Sequence, residues 1–425
     1  MKKSCTVVRP HQPDSRLRPL PLVDLLVDTR TELYELAMRS GMRVFTAMLE
    51  EDRVAICGPR YAHEPDRPAS RAGTVASEVV LGGRKGAMRR PRVRTADGEV
   101  PLPTFQTMAD VDPLNRRVVE QMLVGVATRQ YARSLEPLPP TVASRGTSKS
   151  AVSRRFVART RAQLEAWQSA PLDGLDLVGL VLDGVHVVEH CLIIALGIAA
   201  DGQKHALGLW EGSTENAALC QSLLANLQSR GLRTDRSLLV LLDGSKALRK
   251  AVRDTFGDGA LVQRCQVHKL RNVLDHLPER QRTWVKAILQ RAYRSTDVAT
   301  ARRLLLDLAR RLETEHPSAA ESVREGLDET LTVLGLGLSE SLRRSLVTTN
   351  AAESLISRTR QVKRNVKRWR GGLMVVRWVA AGVLEAVKGF RRLKGHKAMP
   401  QLVTALRARD QQLGLVTNVE VEKVA

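Results

Sequence analysis

LDLVGLVLDGVHV at residues 175–187, HCLIIALGIAADG at 190–202 and KHALGLWEG at 204–212 are runs of branched and long apolar residues in quick succession. Each is bounded by an Asp-Gly or Glu-Gly turn signal, and the spacing predicts a three-stranded antiparallel meander. A helix is expected from Glu215 to Arg230, closed by Gly231. SLLVLLDG at 237–244 reads as a strand buried on both faces. A helix from Ser245 to about Phe256 and a short strand, ALVQRC at 260–265, complete the order β-β-β-α-β-α-β.

That order, a meander running into crossover units, points to an α/β fold. It predicts a ribonuclease H-like core, a mixed five-stranded sheet with flanking helices. Outward from this core, residues 266–345 carry Leu and Ala at helical spacing, as in RRLLLDLARRL, and predict an all-helical insertion. Helix resumes at Asn350, so 346–398 returns to the core, and 399–425 is a tail. On the N-terminal side, 1–75 reads as a helical region, with helix over 22–50 and a Pro-, Gly- and Arg-richer linker after it. Residues 76–112 read as a basic hairpin-like segment, and 113–170 as a helix-turn-helix-like region. At 425 residues the chain exceeds one compact domain and fits about three modules.

Two aspartates take equivalent places in the core. Asp183 ends the apolar run of the first strand and Asp243 that of the fourth, and in the expected sheet those strands are neighbours. Either Asp-Gly could instead simply start a turn. A third carboxylate, Glu353 in VTTNAAESLISRTR, lies beyond the insertion near a helix start. Its alternative role is structural, because Asn350 and Glu353 have the spacing of a capping box. Glu189, Glu211 and Asp254 are weaker candidates, since none ends a core strand. Three oxygen-donor acids suit Mg²⁺ or Mn²⁺. Such an arrangement can support an in-line phosphodiester displacement with two metal ions.

Charge points the same way. Lys plus Arg number 67 against 45 Asp plus Glu, a formal net of +22. That balance disfavours an ordinary metabolic enzyme and favours a polyanionic partner, nucleic acid before a membrane surface. Between Ser354 and Ala398 stand thirteen basic residues and one acid, Glu385, which is more than half of the excess. Arg358, Arg360, Lys363, Arg364, Lys367 and Arg368 in this run are candidate phosphate contacts. The run reads as an amphipathic helix pair with a basic side. GGRKGAMRRPRVR holds a second cluster, six basic residues and no acid from Arg84 to Arg94. A solvated face is the plainer reading of both.

PPTVASRGTSKSAVSRRFVARTRAQLEAW at 139–167 resembles a helix-turn-helix. A short helix would precede Gly146, and Ser148 would cap a second helix bearing Lys149, Ser150, Ser153, Arg154 and Arg155. A basic helix joining two domains is the alternative. RCQVHKLRNV places Cys265 and His268 at a CxxH interval, half of a zinc site without a second pair. Arg264, Lys269, Arg271 and Asn272 beside it could hold phosphates. Trp284 could stack on an unpaired base or pack a core. Apolar residues at 43% exclude a disordered chain. No run approaches the 18 apolar residues of a membrane span, and MKKSC lacks a signal's apolar stretch. Cys5, Cys57, Cys191, Cys220 and Cys265 are scattered, which fits a reduced cytoplasmic setting.

The residues together resemble the Mutator-type bacterial insertion-sequence transposases with a DDE active site. The resemblance rests on LVLDGVHV, GIAADGQKHALGLWEGSTENA, SRGLRTDRSLLVLLDGSKALRKAV, QRCQVHKLRNVL and TTNAAESL, in that order, over about residues 145–400. It implies Asp183, Asp243 and Glu353 as catalytic, metal-holding residues, and Cys265 and His268 as a family motif. It implies binding of terminal inverted repeats by the N-terminal part, then strand cleavage and strand transfer into target DNA. A homodimer or larger assembly on paired ends, at the bacterial nucleoid, would be its setting. Another ribonuclease H-like nuclease, or a non-catalytic DNA-binding regulator descended from a transposase, are the rivals.

Overall fold

A computed structural model describes residues 22–62, 67–81, 84–110, 113–135, 144–145, 148–187, 189–212, 217–363, 366 and 368–415. The chain divides into two compact units. One comprises Met1–Arg117 with Arg129–Lys149, the other Val118–Thr128 with Ser150–Ala425.

In the first unit, α1 (Leu22–Cys57) is followed by β1 (Ser70–Leu81), β2 (Arg84–Thr95), β3 (Gly98–Val100) and α2 (Pro103–Asp110). β1 and β2 form a long antiparallel ribbon from Leu81↔Arg84 to Ser70↔Arg94, with a register shift between Arg71 and Thr74. α3 (Pro113–Leu123) spans the boundary between the units. β4 (Ser144–Arg145) pairs with the far edge of β2 at Lys85 and Gly86. Phe45 and Leu49 of α1 share a core with Val79, Met88, Val93 and Leu102. The residues just before Gly146 are thus strand where a first helix of a helix-turn-helix was expected. β2 supplies hydrogen-bond partners to both its edges, which outweighs local helix preference. Gly146 itself lies outside the described residues.

The second unit takes in all of α4 (Lys149–Ser169) but its first residue and builds the predicted strands: β5 (Leu177–Val187), β6 (His190–Ala199), β7 (Lys204–Gly212), β8 (Leu238–Leu242) and β9 (Ala260–Arg264). Their order is β7-β6-β5-β8-β9. β5, β6 and β7 are antiparallel, while β8 runs parallel to β5, and β9 parallel to β8. α5 (Ala217–Ser229) and α6 (Lys246–Phe256) cover one face. Leu180, Leu182, Val240 and Leu242 point into that layer. Alternation sends Val181, Val185, Leu239 and Leu241 to the other face.

The insertion consists of α7 (Gln266–Asp275), α8 (Glu279–Arg294), α9 (Val298–Leu312), α10 (Pro317–Arg324), α11 (Thr332–Gly335) and α12 (Glu340–Leu346), with its own Leu- and Ala-built core. α13 (Asn350–Lys363), α14 (Gly372–Val387) and α15 (Met399–Leu413) return to cover the second sheet face.

The basic C-terminal run differs from the expected pair of amphipathic helices. α14 contains one basic residue, Arg377, and buries Val375, Val376, Trp378, Val379 and Val383. Its cations collect before and after it, because an apolar face that wide belongs to the core. Among the described residues, no helix is long and apolar enough to cross a membrane.

Candidate active site

The sheet register sets the first two acids side by side. β5 and β8 pair in parallel up to Leu182↔Leu242, so Asp183 and Asp243 are the next residues along. Alternation directs both to the face that α13 covers, since Val181 and Val185, like Leu239 and Leu241, lie in that core. Asp183–Gly184 is not a turn: β5 continues through it, pairing Asp183 with Ile194 and Gly184 with Ile193 on β6. Asp243 does both things the sequence allowed. It follows the last residue of β8, and its Oδ1 accepts a bond from the Ser245 amide at 2.9 Å. Ser245 then caps α6 by accepting from the Leu248 amide.

Asp183 is 4% exposed. Burial, then the negative charge of Asp243, then that of Glu353, push its carboxyl up to about 8, against an opposing pull from His268. Burial and the two neighbouring carboxyls together outweigh the pull of His268 and disfavour the charged form.

Glu353 enters from the first turn of α13. The Glu353 amide donates to the Thr349 carbonyl at 3.0 Å, which makes Thr349 the cap and leaves Asn350 inside the helix. The capping-box alternative therefore does not hold. The Glu353 carboxylate instead meets His268 Nε2 at 3.3 Å and Arg271 Nη1 at 3.7 Å.

The CxxH interval is explained by what its two residues bracket. Cys265 sits at the start of α7, its amide donating to the Leu242 carbonyl at 2.7 Å, at the very end of β8. Its sulfur accepts from the Thr349 amide at 3.4 Å. One turn later, on the same side of the helix, His268 Nδ1 faces Thr349 Oγ1 at 3.4 Å. The Gln266 amide donates to the Val347 carbonyl at 3.0 Å. Cys265 and His268 thus tie β8, α7 and the start of α13 together. Burial raises the Cys265 thiol, but hydrogen bonds from His268 and Thr349 outweigh it and bring it below its ordinary value. His268 is raised to about 9 by its hydrogen bond to Cys265, opposed by burial and helped by Asp183 and Glu353. Among the described residues, no three His, Cys, Asp or Glu side chains lie in ligand geometry around one point.

A cleft of about 550 Å³ opens beside Asp243, lined by Ser245, Lys246, His268 and Asn272. Thr349 and Lys246 escaped the sequence reading. The only signal for Thr349 was a hydroxyl residue just before a helix.

The basic candidates separate. Arg271 and Asn272 are exposed. Arg264 and Lys269 are not: Arg264 donates to the Glu325 carbonyl at 3.0 Å and to its carboxylate at 3.2 Å. Lys269, 1% exposed, donates to the carbonyls of Ser322 and Glu325. Burial holds Lys269 down at about 8. Arg264 fastens the insertion to the core and Lys269 ties α7 to the end of α10 within it, so neither side chain is turned to solvent for a phosphate. On α4, Lys149, Ser153 and Arg154 are exposed and Arg155 is half-buried. Its other side is anchored: Phe156 stacks at 4.4 Å on Trp378, and Trp167 Nε1 donates to the Ala206 carbonyl at 2.8 Å. Arg358, Arg360 and Lys363 belong to α13 and Arg368 is exposed, while Arg364 and Lys367 lie outside the described residues. Trp284 is half-buried against the insertion core, its indole donating to Gln281.

The chain is similar to several known proteins. A probable transposase for an insertion sequence element of Corynebacterium diphtheriae is 32% identical over 207 residues, 47% of this chain and 59% of its own length. A transposase of Mycolicibacterium smegmatis is 28% identical, over 49% of this chain and 65% of its own length. The chain thus spans about three-fifths of the length of these two relatives. A transposase for an insertion sequence element in a transposon of Staphylococcus aureus is 26% identical over 342 residues, 76% of this chain and 83% of its own length. The model of the family described as "Transposase, Mutator family" matches residues 28–391. The chain belongs to the Mutator family of transposases.

Proposed function

We propose that this protein is a DDE-type DNA transposase with a ribonuclease H-like catalytic core. In this reading it binds the terminal inverted repeats of an insertion sequence, cuts strands at the ends and joins them to target DNA. The observation that carries this reading is that Asp183 and Asp243 each come one residue after the last parallel pair of β5 and β8, Leu182↔Leu242, on the face that α13 and its Glu353 cover. The strand order, the all-helical insertion before Glu353 and the relatives' names support it.

The donor set fits a hard divalent cation: oxygen ligands only, one of them a buried carboxyl whose neighbours disfavour its charge. Asp183, Asp243 and Glu353 would hold Mg²⁺ or Mn²⁺, which when bound would stabilise charge on the oxygens of an in-line phosphodiester displacement. The chain's own residues do the rest. The parallel register fixes the two aspartates. Thr349 and His268 set the orientation of Glu353. Lys246 and Asn272, on the wall of the cleft beside Asp243, face where a DNA phosphate would lie. A homodimer or larger assembly would hold paired ends.

The test is strand transfer with duplexes carrying the terminal repeats found beside the gene, in Mg²⁺ against EDTA. Products are expected with the wild type in Mg²⁺ and none with Asp243→Asn. Full transfer by Asp243→Asn would sink the assignment of the acids. DNA binding without any cleavage would favour the regulator instead.

A further inference from the structure

We propose that the distal half of the β1–β2 ribbon is the base-reading element of the first unit. It would enter the major groove of duplex DNA with Arg89 as its specificity-determining residue. The proposal rests on the reading that the protein acts on DNA, and says which surface does the reading.

The ribbon has the right shape. Each strand is twelve residues long, which at roughly 3.4 Å per residue reaches about 40 Å. β4 pairs only Lys85 and Gly86, and β3 only Val93–Thr95, so over Thr74–Glu78 and Ala87–Pro91 the ribbon is two-stranded; a major groove about 12 Å wide admits either an α-helix or such a ribbon. One side of the distal half is committed to the core, where Val79 and Met88 are buried. The other side is exposed: Thr74, Ala76 and Glu78 on β1, Ala87 and Arg89 on β2. Ala76 stands opposite Arg89, and Glu78 opposite Ala87. Small residues around one arginine let the backbone approach a base edge while the long side chain reaches it.

The charges single out Arg89. Arg90 and Arg92 are engaged by Glu99, at 3.1 and 2.7 Å, and Arg90 also lies over the Phe105 ring. Arg89 has a neutral partner, its Nε donating to Thr74 Oγ1 at 3.0 Å. That bond orients the guanidinium without neutralising it and leaves its outer edge for a bidentate contact, the geometry that recognises guanine. Glu78 is the acid on this side of β1. The opposite strand contributes no acid between Arg84 and Arg94, so the ribbon as a whole complements phosphate.

The competing reader is the start of α4, with Ser153 and Arg154. The two are separated by selection from a pool of short duplexes with a randomised centre, using the full-length protein. The wild type is expected to enrich a motif containing a G·C pair. Arg89→Lys, which keeps the charge, and Thr74→Val are expected to lose preference at one base pair by roughly 5- to 150-fold. Binding to unselected duplex should stay within about 2-fold. Arg89 is exposed, so an unchanged circular dichroism melt is expected to accompany the loss. The proposal is overturned if Arg89→Lys and Arg89→Ala both enrich the wild-type motif at undiminished strength, or if Arg154→Ala erases it instead. It is also overturned, alone, if the wild type binds duplexes without enriching any motif. Failure of the wild type to bind any duplex would overturn the DNA reading with it.

Discussion

His268 Nε2 lies 3.3 Å from Glu353 Oε1, while its Nδ1 faces Thr349 Oγ1 at 3.4 Å. One imidazole therefore spans the cap of α13 and the acid of its first turn. Its hydrogen bond to Cys265, and then the charges of Asp183 and Glu353, raise its pKa to about 9, which favours the charged imidazole.

Asp183→Asn is expected to stabilise the metal-free protein while abolishing strand transfer. The folded carboxyl, at about 8, binds its proton more tightly than an unfolded one near 3.8. Stability is therefore lost as pH rises from about 4 to about 8. The gain from the amide should vanish below pH 4 and reach about 1–3 kcal/mol at pH 8. Thermal melts in EDTA at the two pH values check it. A melt at pH 8 no higher than wild type would contradict the charge crowding.

Cys265→Ala removes the acceptor of the Thr349 amide and leaves a buried donor unpaired. The expected cost is about 1–3 kcal/mol in urea unfolding. Cys265→Ser, which keeps an acceptor at that position, should recover most of it. Equal losses in the two variants would mean that the sulfur acts by packing alone.

Lys269→Ala removes the ammonium from the Ser322 carbonyl, leaves the Glu325 carbonyl to Arg264 alone, and opens space in the neck of the insertion. About 2–4 kcal/mol of stability should be lost. The slope of log affinity for DNA against log salt should not move, because a buried ammonium releases no counterion. A slope lowered by about 1 would restore Lys269 to the phosphate contacts.

Gly244 has φ +115, and a Cβ there would stand 2.6 Å from Arg264 Nε. Gly244→Ala combines a left-handed backbone with a clash against a side chain already bonded to Glu325. It should cost about 1–3 kcal/mol and, by displacing Asp243, lower strand transfer at least 10-fold. Activity at wild-type level would show that the Asp243 turn tolerates the shift.

The strands and the two aspartates were legible because continuous apolar runs ending at an acid have few other uses. The sheet register then follows, since Leu182 and Leu242 precede their acids by the same single step. What could not be read was the destination of each cation. Arg264, Lys269 and Arg271 look alike within one stretch, but the first two meet carbonyls more than fifty residues away. Only tertiary packing tells a clamp from a solvated charge. The same blindness affected α14, whose flanking arginines suggested a wet helix around an apolar core segment. Asp183–Gly184, for which a turn was the alternative, lies in mid-strand because β6 pairs with both of its residues.

The bond from the Gln266 amide to the Val347 carbonyl closes the two ends of an eighty-residue excursion onto each other. Whatever the helices between them do, chain entry and chain exit stay pinned beside β8. The span from Asp243 to Glu353 is therefore short in space and indifferent to the length of chain that separates them. An insertion held this way is free to grow, shrink or change its surface, and so its partners, without retuning the acids. The fold keeps its chemistry in a fixed frame and leaves its largest helical body open to change.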